Sequence, residues 1–350
     1  MPQAALTTDA EIRNAFRGWT LNKNYGKVYD DSANLTEIVM NLSKYSVIQD
    51  YDLYAVFQQE SVYASNTDNK YFIYSYNDNG DPIISLNPEL GNDLAGKITL
   101  PAKNPNGEYI LGIGKMLYAE NPTRPIGKNI THVFFEPNNQ YQFVGEGAFK
   151  GYKSTMDNPY AYAIKEIYLP KTVTSLGQYS FEWLFNPVTV YMSDNVTEIG
   201  YAAFTGSSTV KSQVSVKVYD ESGKNAVSKL PAKLTSLGKS TITDYYNGEV
   251  FWNNHGVDFT SLPKGLTELL DRNFYNCVNV RIDTFGQDGS GLTSIGKQCF
   301  QGAGYNTGTI DAIYLHNSII ELGENCFTRY GSSDGISNIF TTLPETNEHR

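Results

Sequence analysis

His132, His255, His316 and His349, with Cys277, Cys299 and Cys326, are the side chains best suited to hold a metal or attack a substrate. Their spacing suits neither task. The histidines share no metal-ligand spacing. No glycine-rich phosphate loop, no Gly-x-Ser-x-Gly elbow and no paired-carboxylate signature accompanies them. Asn77-Asp-Asn-Gly-Asp81 has the oxygen donors of a calcium loop but lacks the later Glu, so it reads as a turn. The remaining acids are scattered over presumed loops. The sequence therefore predicts no catalytic residue, no cofactor and no metal site.

Aromatic and amide side chains are the other chemistry on offer. Tyr152, Tyr160 and Tyr162 crowd one stretch. Tyr245, Tyr246, Phe251 and Trp252 crowd another, with Asn247, Asn253, Asn254 and His255 among them. Such residues give contact area and hydrogen bonding at low entropic cost, which suits recognition of a protein or a glycan. These seven aromatics are the candidate partner-binding residues. The competing reading is that they cover the flank of the structure beside them.

The elements that must position them repeat. Thr293-Ser-Ile-Gly-Lys-Gln-Cys-Phe300 has close copies at Gln142–Phe149, Thr174–Phe181, Thr197–Phe204 and Ile320–Phe327, with degenerate ones at Thr235–Ile242 and Thr267–Phe274. The template is an aliphatic residue, Gly, two variable residues, a small residue and an aromatic. The aliphatic and the Phe point to a shared core, the small residue to close stacking of neighbouring turns, and the Gly to a special backbone angle or a close approach. Short β-branched and aromatic runs follow most copies: Val133–Pro137, Ile167–Pro170, Val188–Tyr191, Val216–Tyr219, Val280–Asp283, Ile313–Leu315 and Ile339–Pro344. A single unit of this kind cannot bury its own apolar face, whereas stacked units form a solenoid with parallel strands along one side. The three cysteines fall on small or buried template positions. They read as buried free thiols, with a Cys299–Cys326 disulfide as the alternative.

Over about residues 98–344 these units resemble the BspA-like leucine-rich repeat, most fully at Gly145–Gly151 and Leu169–Val173. The resemblance implies a leucine-rich-repeat-like solenoid of short parallel strands with irregular or helical returns, and a protein exported to a surface. The spacing of Gly114, Gly145, Gly177, Gly200, Gly238, Gly296 and Gly323 is uneven, so insertions decorate the stack, as at 152–163 and 244–258.

Residues 1–60 differ. Ala15-Phe-Arg-Gly-Trp19 and Tyr51-Asp-Leu-Tyr-Ala-Val-Phe57 resemble the Listeria–Bacteroides (internalin B-type) repeat, which implies a small β-grasp-like module with Trp19 and Phe57 in its core. Thr7–Asn14, in place of the usual first strand, suits a short helix capped by Thr8 or Asp9. Residues 61–97 read as a connecting hairpin, Lys70–Tyr76 and Pro82–Leu86 about the 77–81 turn, that caps the solenoid of residues 98–350.

The charge balance is 27 basic against 37 acidic residues, −10 overall, which disfavours nucleic acid. No apolar run reaches ~18 residues, so no membrane insertion is expected. Met1–Asp9 lacks a basic start and an apolar run, so no signal peptide is read there. These features predict a non-enzymatic extracellular recognition or structural protein with a protein or glycan partner, held in a larger assembly. The leading expectation is a bacteriophage virion component, a tail or capsid appendage on the virion surface. The alternative is a fragment of an adhesin on a bacterial cell surface.

Overall fold

A computed structural model describes residues 14–21, 23–25, 28–29, 53–59, 68–119, 125–151, 162–219, 225–241, 247–286, 290–307, 310, 312–331 and 340–342. The solenoid is built from two parallel ribbons. One joins Pro82–Leu86, Gly112–Ile113, Phe143–Val144, Ser175–Leu176, Glu198–Ile199 and Ser236–Leu237, and the antiparallel strand Phe72–Tyr76 closes its N-terminal edge. The other joins Gly96–Leu100, Ile130–Phe135, Glu166–Tyr168, Val188–Met192 and Val214–Tyr219, with Ala226–Val227 antiparallel at its end. Two shorter ribbons follow, Glu268–Leu269 with Ser294–Ile295 and Glu321–Leu322, and Thr284–Phe285 with Ile313–Leu315 and Phe340–Thr342. The strand expected at 280–283 lies at Thr284–Phe285 instead.

The template acts one position at a time. Its aliphatic residue is buried in Ile113, Val144, Leu176, Ile199, Leu237, Leu269 and Ile295, whereas Leu322, on the edge strand of its ribbon, is exposed and not in the core. The amide of the following Gly donates to the carbonyl of the equivalent aliphatic one unit earlier: Gly145 to Ile113, Gly177 to Val144, Gly200 to Leu176, Gly238 to Ile199, Gly296 to Leu269 and Gly323 to Ile295, all at 2.7–2.8 Å. Backbones are then so close that a side chain has no room. A Cβ on Gly177 would meet Glu146 N, Gly145 C and Val144 O at 2.9 Å, and one on Gly296 would meet backbone atoms of residues 270–271 at 2.7 Å. Close approach, and not a special φ, explains both glycines.

The special φ falls two residues later. Gly147, Tyr179, Ala202, Arg272, Gln298 and Asn325 all have φ between 51° and 58°. A left-handed residue interrupts an α-helix, so the returns are irregular. Among the described residues helical structure is limited to three-residue 3-10 turns. The same twist aims amides along the stack. Tyr179 N donates to Tyr201 O, Arg272 N to Lys297 O and Gln298 N to Glu324 O, at 2.9–3.0 Å. Two residues on, Phe149, Phe181, Phe204, Phe251, Phe274 and Phe300 donate to Ser180, Ala203, Val250, Asn273, Cys299 and Cys326 at 2.7–2.9 Å. Each return is thus stitched to the next through its backbone.

Those phenylalanines form the core. Phe149, Phe181, Phe204, Phe251, Phe274, Phe300 and Phe327 stack in one column, with successive centroids 4.9–5.6 Å apart and planes within 14° of parallel. The column passes through Phe251. The unit that begins at Leu237-Gly238 is interrupted, and it resumes at Gly248 after Gly248 N donates to Gly238 O at 2.7 Å. Residues 239–247 are an insertion pinched off at its base. The ribbon breaks beyond this unit, and buried Asn273 spans the break. Its Nδ2 donates to Leu237 O at 3.1 Å and its Oδ1 accepts from Val250 N at 3.3 Å.

All three cysteines are free and buried. At the N-terminus, Asn14–Thr20 pairs antiparallel with Tyr54–Gln59, with an irregularity between Phe16 and Gly18, and Val28–Tyr29 pairs parallel with the same strand. These strands form one three-stranded sheet. Of the helix expected over 7–14 only Asn14 is described, and it begins a strand; the core roles of Trp19 and Phe57 rest on side chains outside the described ones.

Candidate functional site

Tyr152, Tyr160, Tyr245 and Tyr246 lie outside the described residues. Of the other candidates, Phe251 is fully buried in the phenylalanine column and Tyr162 is 3% exposed. Neither can meet a partner. Phe251 occupies the aromatic position of its repeat, which an insertion hid from the sequence pattern. Burial pushes the Tyr162 phenol up from its ordinary range. Trp252 is half-buried, 6.4 Å from the ring of Tyr275.

A second aromatic row lies on the outward face of the longer-stranded ribbon. Phe134, Tyr168, Tyr191 and Tyr219 stand on successive strands with centroids 4.6–5.7 Å apart and planes within 25° of parallel. Beside them Glu166 accepts from Tyr168 Oη at 2.6 Å and lies 3.3 Å from His132 Nε2. Burial lowers the His132 pKa, and the Glu166 carboxylate opposes it. Burial and the same carboxylate raise Tyr168 and Tyr191. The rings of Phe134, Tyr168 and Tyr191 are half-buried and spend their faces on their neighbours, and Tyr219 at the end of the row is buried. The row stabilises the sheet and offers no platform for a flat ligand.

Beyond the aromatics, among the described residues no three His, Cys, Asp or Glu side chains gather as a metal site. The 77–81 segment is a turn. Asn77 Oδ1 accepts from the amides of Asn79 and Asp81 at 3.0 and 2.8 Å, and Asn77 Nδ2 donates to Asp81 Oδ2 at 2.9 Å. The loop at 104–108 repeats these bonds with Glu108 in place of Asp81.

A groove of ≈ 770 Å³ runs across the shorter-stranded ribbon. Strand alternation builds its floor. The residue before each buried aliphatic points outward: Phe143, Ser175, Glu198 and Ser236, with Ile83 and Ser85 on the first strand. Gly112 is bare because the Phe143 ring lies over it, where a Cβ would come within 2.2 Å. The turn residues Asn77, Asp78, Asn79 and Asp81 line one end, and Lys239, Ser240 and Thr241 line the other. The second end is the base of the pinched insertion, whose remainder carries Tyr245 and Tyr246. Buried Gln178 ties the floor together, donating to Glu146 Oε2 at 3.1 Å and accepting from Ser240 Oγ at 3.4 Å. Lys115 Nζ donates to Glu146 O at 3.0 Å, and Lys239 pairs with Glu268 at 3.0 Å.

The lining holds four carboxylates, Asp78, Asp81, Glu146 and Glu198, against two lysines, Lys115 and Lys239. It offers hydroxyls, carboxylates, amides and one half-buried ring. Sequence reasoning passed over the floor residues Phe143, Ser175, Glu198 and Ser236 because each occupies a variable template position. The signal was there in the position before the aliphatic, which a period of two turns outward.

A sequence profile of the BspA type leucine rich repeat region matches the chain in six copies, over residues 127–245, 160–281 and 245–341. No curated protein sequence matches it. Among solved structures, the chain is similar to a leucine-rich repeat protein from Bacteroides ovatus ATCC 8483, at 16% identity and a TM-score of 0.31. That match covers 72% of this chain and 59% of the other, so the chain spans little more than half of that relative. It is also similar to a leucine rich cell surface protein from Faecalibacterium prausnitzii A2-165, at 14% identity and a TM-score of 0.32, covering 74% and 73% of the two chains.

Proposed function

We propose that this chain, which belongs to the BspA-type leucine-rich repeat family, is a non-enzymatic recognition protein of a bacterial cell surface. In this reading it acts as an adhesin, and its partner lies in the groove across the shorter-stranded ribbon. The virion reading is set aside, because nothing in the family match points to a phage particle. One observation carries the proposal: the groove crosses six successive strands and is walled at both ends by loops that the repeat itself does not require. Solenoids present extended surfaces of this kind to large partners.

Ser175 sits mid-floor, half-exposed, on a strand held on both sides. Ser175→Arg fills the groove without touching the core. The test compares retention of the labelled wild type and this variant on epithelial monolayers, with thermal melts to establish that both are folded. The variant is expected to lose most of its retention at an unchanged melting temperature. Equal retention would remove the groove from the site. Release of sugar or peptide from the monolayer by purified protein would sink the non-enzymatic reading.

A further inference from the structure

We propose that the occupant of the groove is an extended oligosaccharide chain without negative charge, laid along the solenoid axis at about one sugar per turn. This rests on the groove being the recognition site. Three observations carry it.

The first is register. The groove runs across the strands, so its outward side chains recur at the inter-strand spacing of about 4.7–4.9 Å. The column of phenylalanines beneath repeats at a similar 4.9–5.6 Å. One β1,4-linked pyranose covers a closely similar length, so each sugar meets an equivalent position on the next turn. An extended peptide in the same direction returns its side chains to one face only every ~6.7 Å, and falls out of step with the turns.

The second is chemistry. Ser85, Ser175, Glu198 and Ser236 place a hydroxyl or carboxylate on four of the six strands, and Phe143 supplies a half-buried apolar ring on a fifth. Hydroxyls both accept from and donate to sugar hydroxyls, and carboxylates accept from them, while the ring packs against the apolar face of a pyranose. The groove, unlike the stacked tyrosine row on the other ribbon, leaves the Phe143 ring without a stacked aromatic neighbour among the described residues.

The third is charge. Four carboxylates face two lysines, both of which are engaged, Lys115 by Glu146 O and Lys239 by Glu268. That balance repels sulfated, uronate or sialylated chains, because like charges brought together cost binding energy. Neutral or amino sugars remain.

The experiment uses the full chain. Cellohexaose, chitohexaose, mannohexaose and xylohexaose are titrated beside their disaccharides, against the wild type, Ser175→Arg, and a variant with residues 239–247 excised. Monolayer retention is measured before and after mild periodate, which cleaves vicinal diols, and before and after chitinase, because a 4-linked N-acetylhexosamine has no vicinal diol. At least one hexasaccharide is expected to bind about tenfold more tightly than its disaccharide, since each filled turn adds contact and ~1.4 kcal/mol is tenfold. That binding should be lost in Ser175→Arg, and periodate or chitinase should abolish retention. Retention that depends on Ser175 but survives both treatments, with no hexasaccharide bound, would leave the groove as the site and overturn the glycan. Hexasaccharide binding indifferent to Ser175→Arg would overturn the placement. Retention indifferent to Ser175→Arg would overturn the groove reading itself.

Discussion

Phe204 is fully buried, stacked at 5.0 Å on Phe181 and at 5.3 Å on Phe251. Its neighbours are held by unit-to-unit backbone bonds and cannot collapse into a vacated space. Phe204→Ala is therefore expected to cost about 3–5 kcal/mol, read from a urea melt; a loss below ~1 kcal/mol would show that the column is not the core. The cysteines make a second test at this scale. Burial pushes the Cys326 thiol up to about 11 and raises Cys277 and Cys299 further. Because the thiolate is the reactive form, the native protein at pH 8 should react slowly with a disulfide reagent such as DTNB. In urea, without reductant, it should release three equivalents. One equivalent would mean that Cys299 and Cys326 are paired.

At the scale of the repeat, the glycine after each aliphatic residue fixes how closely successive turns approach. A Cβ on Gly200 would lie 2.6 Å from Gln178 N and 2.9 Å from Gly177 C, atoms that cannot rotate away. Gly200→Ala is expected to destabilise by about 1–3 kcal/mol through overpacking, although Ala is the smallest possible change. The control is Gly107→Ala, where φ is 84° but no atom lies within 4 Å of the added Cβ. Backbone strain alone, of order 1 kcal/mol, applies there. If chemical melts show equal losses at the two sites, close approach is not what selects glycine in the repeat.

For the whole molecule, the insertion offers a clean cut. Excising residues 239–247 joins Leu237-Gly238 to Gly248-Glu249-Val250-Phe251, which restores the template of aliphatic, Gly, two variable residues, a small residue and Phe. The bond from Gly248 N to Gly238 O shows the two ends already in contact. The shortened chain should fold with an unchanged m-value and a midpoint near that of the wild type, yet lose retention on monolayers because the groove has lost one end. A collapse of stability on excision would mean that the insertion supports the stack.

The repeat, its buried aliphatics and its phenylalanine phase were legible in the sequence, because each is a residue type recurring at one position for one local reason: burial against an identical neighbour. The parallel strands followed from their β-branched alternation. Other features depended on neighbours in space. The template shows a Gly but not whether φ or a close backbone demands it, and the left-handed residue two positions on is Tyr, Ala, Arg, Gln or Asn, types with no common signature. Phe251 looked like a loop aromatic because an insertion separates it from its own Gly238 by a length no pattern tolerates, and only the stacking of rings on either side returns it to the core. The groove was the least legible feature. Its floor is made of the positions the repeat leaves free to vary, and they converge only when parallel strands set turn upon turn in register.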